Sequence, residues 1–299
     1  MSQVFHPLSP ELILSLNIST MRAFCRMNAV ETQYQQRIDS LSLHVLLRFL
    51  VILASVAIAR TGLADQGMWT YLKTVNVHAP GEVEYEQYVT AKWDYDDDDD
   101  GKYRFDFRHE FEFGITDNFQ MAVYLADWRV KHSNSSGTVT EFRTSALEFK
   151  YKFSDPVTDP IGFAAYGEFK IGSEKFALEG KALFQKTIDR WNFGYNFVLE
   201  AEWEDNGANG ARYVNSKGKI KNYLGVAYQT APSFSIGAEI LAITPIPDWA
   251  GTDETRFYAG PALSYRGTGW HITTTFEVGL NRVAGAERFQ LRTIFGIDF

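Results

Sequence analysis

Apolar and polar side chains alternate along most of the chain after residue 80. The clearest run is Tyr103 to Phe113. Tyr103, Phe105, Phe107, Phe111 and Phe113 share one parity, interrupted only by His109, and Arg104, Asp106, Arg108, Glu110 and Glu112 share the other. Trp191 to Trp203 repeats the pattern with Trp191, Phe193, Tyr195, Phe197, Leu199, Ala201 and Trp203 on one face. Val83 to Tyr95 does so with Glu82, Glu84, Glu86, Lys92 and Asp94 opposite the apolar set. A side-chain period of two belongs to strands. Further runs lie near 119–130, 142–153, 161–171, 176–188, 219–229, 233–243, 255–265, 270–280 and 288–299, for about twelve strands in all. Strand 119–130 is apolar on both faces, so its direction stays open. Strand 142–153 changes phase near Thr144-Ser145, where a bulge is expected.

Alternation alone also fits an antiparallel sheet with one wet face. Three features favour a barrel in lipid. The clear runs are about 11–13 residues long, whereas soluble strands usually have 5–6 and tilted membrane strands need ~9–11. Aromatics gather near strand ends, as Trp93, Tyr95, Trp128, Tyr151, Phe153 and Trp270 illustrate, which suits interfacial girdles. The polar face stays charged into mid-strand, where a soluble sandwich needs apolar side chains. The expected fold is therefore all-β, a transmembrane antiparallel up-and-down β-barrel of about 12 strands with a polar inside and a greasy outside. Short turns at 114–118, 154–160, 189–190, 231–233 and 266–269 are expected on the periplasmic side. Loops at 96–101, 131–138, 172–175, 205–218, 244–254 and 281–287 are expected outside, and an even strand number returns both ends to the periplasm.

The first part of the chain has a different character. Phe49 to Ala59 is an unbroken apolar run of eleven residues, preceded by Arg48; Gly62-Leu63-Ala64 after it reads as a cleavage site, and Ala57-Ile58-Ala59 at its end is a second candidate. A bilayer span needs roughly 20 such residues, so the run reads as the h-region of a secretory signal peptide. Met21 and Met27 are candidate alternative starts. The expected organisation is an N-terminal extension and signal peptide at 1–64, a periplasmic lead or plug at 65–80 and the barrel at 81–299. Residues 65–299 then carry 24 basic and 34 acidic side chains, a net charge of −10, which disfavours nucleic acid as a partner. Cys25, the only cysteine, falls in the first segment, so residues 65–299 have no thiol chemistry.

Near the C-terminus, Phe289, Leu291, Phe295, Ile297 and the final Phe299 occupy alternate positions, with Arg288, Gln290, Arg292 and Asp298 between them. This ending resembles the recognition signal of Gram-negative outer-membrane β-barrels, whose closing strand ends in Phe. Glu110 to Tyr124 (EFEFGITDNFQMAVY) resembles a hairpin common in families of such barrels. Those families are similar to outer-membrane transporters of aromatic-degradation clusters. The resemblance implies residence in the bacterial outer membrane, contact with the lipid bilayer and lipopolysaccharide, insertion by the barrel-assembly machinery and porin-like transport. It brings neither a cofactor nor a catalytic motif.

Parity points a mixed set of charges inward. Arg104, Arg108, Glu110, Glu200 and Glu202, near mid-strand, are the lumen or selectivity candidates, able to set a local field for a small solute. The competing reading is a lumen sealed by internal ion pairs. Asp96, Asp97, Asp98, Asp99 and Asp100 could bind a divalent cation, although the run lacks the spacing of a calcium loop and equally suits a solvated loop tip. His109 on the greasy face, His132 beside Ser133 and Asn134, and the inward His271 are candidates for a lipid-modifying hydrolase, yet no Ser or Asn pairs with His109 at a two-residue spacing. The leading expectation is a passive, non-enzymatic channel or transporter for a small polar or charged solute. The alternatives are that hydrolase and a structural or surface-interaction barrel with a sealed lumen.

Overall fold

The computed structural model describes residues 67–95, 100–172, 175–204 and 215–299. The expected signal-peptide segment, Asp96–Asp99 and most of the expected 205–218 loop lie outside them. Among the described residues, twelve strands run β1 Val83–Tyr95, β2 Tyr103–Thr116, β3 Phe119–Ser133, β4 Gly137–Ser154, β5 Gly162–Ile171, β6 Lys175–Ile188, β7 Trp191–Glu204, β8 Asn215–Ala231, β9 Phe234–Ile246, β10 Arg256–Gly267, β11 Trp270–Gly279 and β12 Glu287–Asp298. Each pairs antiparallel with its chain neighbours, and β12 pairs with β1 to close the barrel. The final backbone amide continues that seam, as Phe299 N–H donates to Val83 O at 2.9 Å.

The faces follow parity. Outside, Phe149, Leu178, Phe193, Leu199, Leu224, Ile240 and Leu263 are exposed, whereas Glu84, Glu110, Glu112, Glu148, Glu239 and Glu277 are buried inside. An apolar skin around an ionised interior is the arrangement of a barrel that crosses lipid with its strands. Among the described residues no helix is long and apolar enough to cross a membrane. Aromatic pairs such as Trp93–Phe289, Trp191–Tyr228 and Tyr265–Trp270, with centroids 5.8, 4.8 and 5.4 Å apart, stand on the outer face near strand ends.

Two irregularities explain why β3 and β4 read poorly. In β3 the inward residues are Gln120 and Tyr124 and then, beyond a bulge at Leu125-Ala126, Asp127 and Arg129. The extra residue switches parity and leaves apolar side chains on both sequence parities. Opposite it, pairing jumps from Asp127↔Thr144 to Trp128↔Phe142, so β4 shifts phase at Arg143, one residue before Thr144-Ser145. The expected loop at 131–138 is mostly strand, because this hairpin continues to Ser133 and resumes at Gly137. Similarly, β9 extends to Ile246 and gives way to a short 3-10 turn, Pro247–Trp249.

Candidate functional site

The barrel interior near the short turns is filled by the chain's own segment 67–80. This stretch has no periodic pattern, and its backbone groups find partners on the wall instead of in a sheet, as buried backbone groups must. The carboxylate of Glu239 on β9 accepts from Thr70 N (3.1 Å), Thr70 Oγ1 (3.2 Å), Tyr71 N (2.9 Å), Leu72 N (2.9 Å) and Thr275 Oγ1 (2.8 Å). On β7, Asn196 accepts from Lys73 N at 2.8 Å and donates to Lys73 O at 3.0 Å, so one side-chain amide satisfies both backbone groups of Lys73. Gln185 on β6 accepts from Val75 N, and Gln120 on β3 accepts from His78 N, both at 3.0 Å. Tyr71 Oη donates to Gln290 Oε1 of β12 at 2.6 Å.

Apolar contacts lock the same segment. Trp69 and Leu72 are buried with Val198, Tyr223, Ala227, Leu241, Tyr258 and Ala262 inside the barrel. Gly225 makes room for Trp69: a Cβ there would stand 2.7 Å from Trp69 Nε1. A Cβ on Gly194 would stand 2.7 Å from Leu72 Cδ2. Val75 packs with Ala164, Tyr166 and Leu183.

Two cations of the segment sit in an acidic socket on β1 and β2. Lys73 Nζ lies 3.2 Å from Glu112, 3.7 Å from Glu110 and 4.0 Å from Glu86, and it donates to Tyr88 Oη at 3.0 Å. His78 Nε2 lies 2.9 Å from Glu112 and 3.1 Å from Glu84. Burial works against the charge on His78, but its hydrogen bonds to Glu112 and Glu84 prevail and push its pKa up to about 11. Burial opposes the charge on Lys73 as well, yet Glu110 and Glu148 hold its pKa well above the ordinary lysine value. His271 Nδ1 adds a contact to Glu84 at 2.8 Å. Donor atoms of His78, Glu84 and Glu112, of Glu84, Glu86 and His271, and of Glu86, Glu110 and Glu112 each lie within 4.8 Å of one another, the spacing of a metal ligand set. Lys73 and the two imidazoles stand against these same carboxylates.

Above the segment, toward the loops, the lumen widens into a cavity of about 290 Å³. Its wall includes Arg108, Arg129, Arg143 and Arg292, together with Lys170, Lys175 and Lys219. Against these seven cations stand three acids, Asp106, Asp127 and Glu200.

The five sequence-selected lumen residues separate by depth. Arg108 lines the cavity, binding Asp127 through Nε (2.8 Å) and Nη2 (3.1 Å), and its guanidinium lies 4.5 Å from the Tyr124 ring centroid. Glu200 lines it too, accepting from Lys219 (2.6 Å) and Lys221 (2.5 Å). Arg104 bonds Asp106 at 2.9 Å. Glu202 meets Lys175 and, at 3.0 Å, Lys217. Glu110 belongs to the socket beneath, where neither carboxylate oxygen has a hydrogen-bond partner among the described residues and Lys73 faces it. Glu239, Asn196, Gln185 and Gln120, which hold the inner segment, were not singled out from the sequence. Their one signal is inward parity, which for Gln120 on the irregular β3 stayed open in the sequence.

The other candidates are placed as follows. Asp100 accepts from Ser135 N (2.8 Å) and Ser135 Oγ (2.5 Å). On the outer face, Trp128 Nε1 donates to His109 Nε2 at 3.1 Å, which leaves the proton of the neutral ring on Nδ1, 2.9 Å from Tyr85 Oη. His132 Nδ1 lies 2.9 Å from Thr138 Oγ1. Leu291, Phe295 and Phe299 are exposed on the outer surface of the closing strand, and Phe289 stacks on Trp93.

The sequence profile of a family of unknown function (DUF6662) matches residues 61–182 and 214–293. The chain belongs to this family. No curated protein matches this DUF6662 member in sequence. Among solved structures, the COG4313 outer membrane channel from Pseudomonas putida F1 superposes with a TM-score of 0.58 at 10% identity, covering 77% of this chain and 100% of its own. The NanC porin gives a TM-score of 0.46 at 10% identity, covering 72% and 98%. The first likeness shows a shared fold, that of a bacterial outer-membrane β-barrel. The apolar skin of the DUF6662 barrel agrees with residence in such a membrane.

Proposed function

We propose that the protein is a non-enzymatic outer-membrane channel for small polar or charged solutes, held closed at rest by its own segment 67–80. One observation carries this reading. The segment is bonded to the inner wall by side chains of β2, β3, β6, β7, β9 and β12, while a charged cavity stays open above it. A barrel meant only as a scaffold can fill its bore with side chains from its own strands. Here a separate stretch of chain does the filling, and a separate stretch can leave. The cavity faces the longer loops, which on this reading look outward, so solute enters there and passes when the segment shifts. The final strand, ending in Phe299, is on the same reading what the assembly machinery recognises, and lipopolysaccharide surrounds the outer rim.

The test is conductance in planar bilayers. Protein containing segment 67–80 is expected to pass little current, and protein lacking 67–80 to pass steady current. If the deleted form inserts, shows heat-modifiable migration and still passes none, the lumen is sealed by the wall itself and the channel reading fails.

A further inference from the structure

The charge of the upper cavity is opposite to that of the chain around it. Residues 65–299 carry a net charge of −10, yet cationic side chains outnumber acidic ones by seven to three on this wall. Most of these cations have a partner: Arg108 with Asp127, Arg129 with Asp106, Lys219 with Glu200 and Glu202. Arg292 differs. Its Nε donates to Thr90 Oγ1 at 2.9 Å, its Nη1 lies 3.4 Å from Thr70 O, and its guanidinium stacks 3.8 Å from the Tyr71 ring centroid. Among the described residues no carboxylate pairs with it. Two neutral oxygens and a ring hold its plane in place without cancelling its charge. A fixed guanidinium with spare donors is suited to a carboxylate or phosphate, whose oxygens match its fork. Arg129 also has spare donors, since its bond to Asp106 uses Nε at 2.6 Å.

We infer that this cavity is a binding site for small oxyanions, carboxylates or phosphates, with Arg292 as the primary contact and Arg108 and Arg129 as flanking ones. The inference names the solute class of the channel proposed above and rests on that reading for its physiological meaning, although binding is measurable without transport. Arg292 also touches segment 67–80 through Thr70 O and Tyr71. An arriving anion therefore competes for the group that anchors the segment from above.

The experiment measures binding of inorganic phosphate and, separately, succinate to the detergent-solubilised protein by calorimetry, with sodium chloride at matched ionic strength as the control. At least one oxyanion is expected to bind and to weaken as salt rises. Arg292→Gln is expected to lose about tenfold in affinity or more, and Arg292→Lys less. Preference between the two probes tells phosphate from carboxylate. Heat-modifiable migration verifies that each variant is folded, and Arg129→Gln provides an independent site change. Heat equal to that of chloride, or binding unaltered in the folded Arg292→Gln and Arg129→Gln forms, overturns the inference. Bilayer recordings separate the two claims. Binding without current in the deleted form leaves the site and removes the channel, whereas current with no oxyanion binding and no reversal-potential shift toward anions in a potassium chloride gradient does the opposite.

Discussion

The residue that most constrains the interior is Glu239. A buried carboxylate is costly unless its lone pairs are satisfied, and this one accepts five hydrogen bonds, three of them from consecutive backbone amides of the inner segment. The cost of leaving either side unpaired is what ties segment to wall. Hydrogen bonds to a charged group contribute about 1.5–3 kcal/mol each, and removing one partner leaves the others uncompensated. Glu239→Gln retains shape but removes the charge and places an NH2 against donors. It is expected to weaken docking of 67–80 by about 2–3 kcal/mol. The measurement is protease cleavage within 67–80 of the folded barrel, which should speed up by a factor of tens or more. A rate equal to wild type would show that Trp69 and Leu72, seated over Gly225 and Gly194, hold the segment without the carboxylate.

At the scale of elements, segment 67–80 is tied at one end by Glu239 and at the other by His78 between Glu84 and Glu112. The second tie depends on pH. The His78 pKa is raised to about 11 in the docked state from an ordinary value near 6.5. Its contribution is thus complete below about 6.5, declines as pH rises and is gone above about 11. Cleavage within 67–80 should accelerate between pH 7 and 11, and His78→Gln should flatten that rise. A His78→Gln profile parallel to wild type would mean the slope comes from other groups. The strands themselves were legible from the sequence, since period-two alternation sets both the element and its lumen face, and runs such as 103–113 and 191–203 match β2 and β7 closely. The β3–β4 hairpin was harder, because the bulge at Leu125-Ala126 exchanges the parities halfway. The sequence left 65–80 as a lead or a plug, and the wall residues that dock it were not legible. Nothing in a non-periodic segment says which wall residues will bond it, and Gln120, Gln185 and Asn196 look like any inward polar residue. Parity also gave Arg108 and Glu110 the same face but not their height along the barrel, and height is what puts one in the open cavity and the other beneath Lys73.

For the whole molecule, the governing fact is that the usual core is turned outward, so mutational costs change sign with location. Leu199 on β7 is 51% exposed on the outer face. If the outside faced water, Leu199→Arg would fall within the ±0.5 kcal/mol usual for exposed substitutions. In a bilayer the same side chain faces hydrocarbon, and an arginine there costs about 2–4 kcal/mol near the midplane, falling toward zero at the interfaces. The strand lets one molecule supply its own control. Trp203, four residues along the same outward parity, lies at the loop end of β7, where aromatics collect and the penalty for charge is small. Urea unfolding of the barrel in lipid vesicles should therefore give a loss of about 2–4 kcal/mol for Leu199→Arg, and any loss at Trp203→Arg should trace to missing aromatic packing against Phe176, removed equally by Trp203→Ala. A neutral Leu199→Arg would mean that the apolar skin does not meet lipid, and the channel and its closing segment would lose their physical basis together.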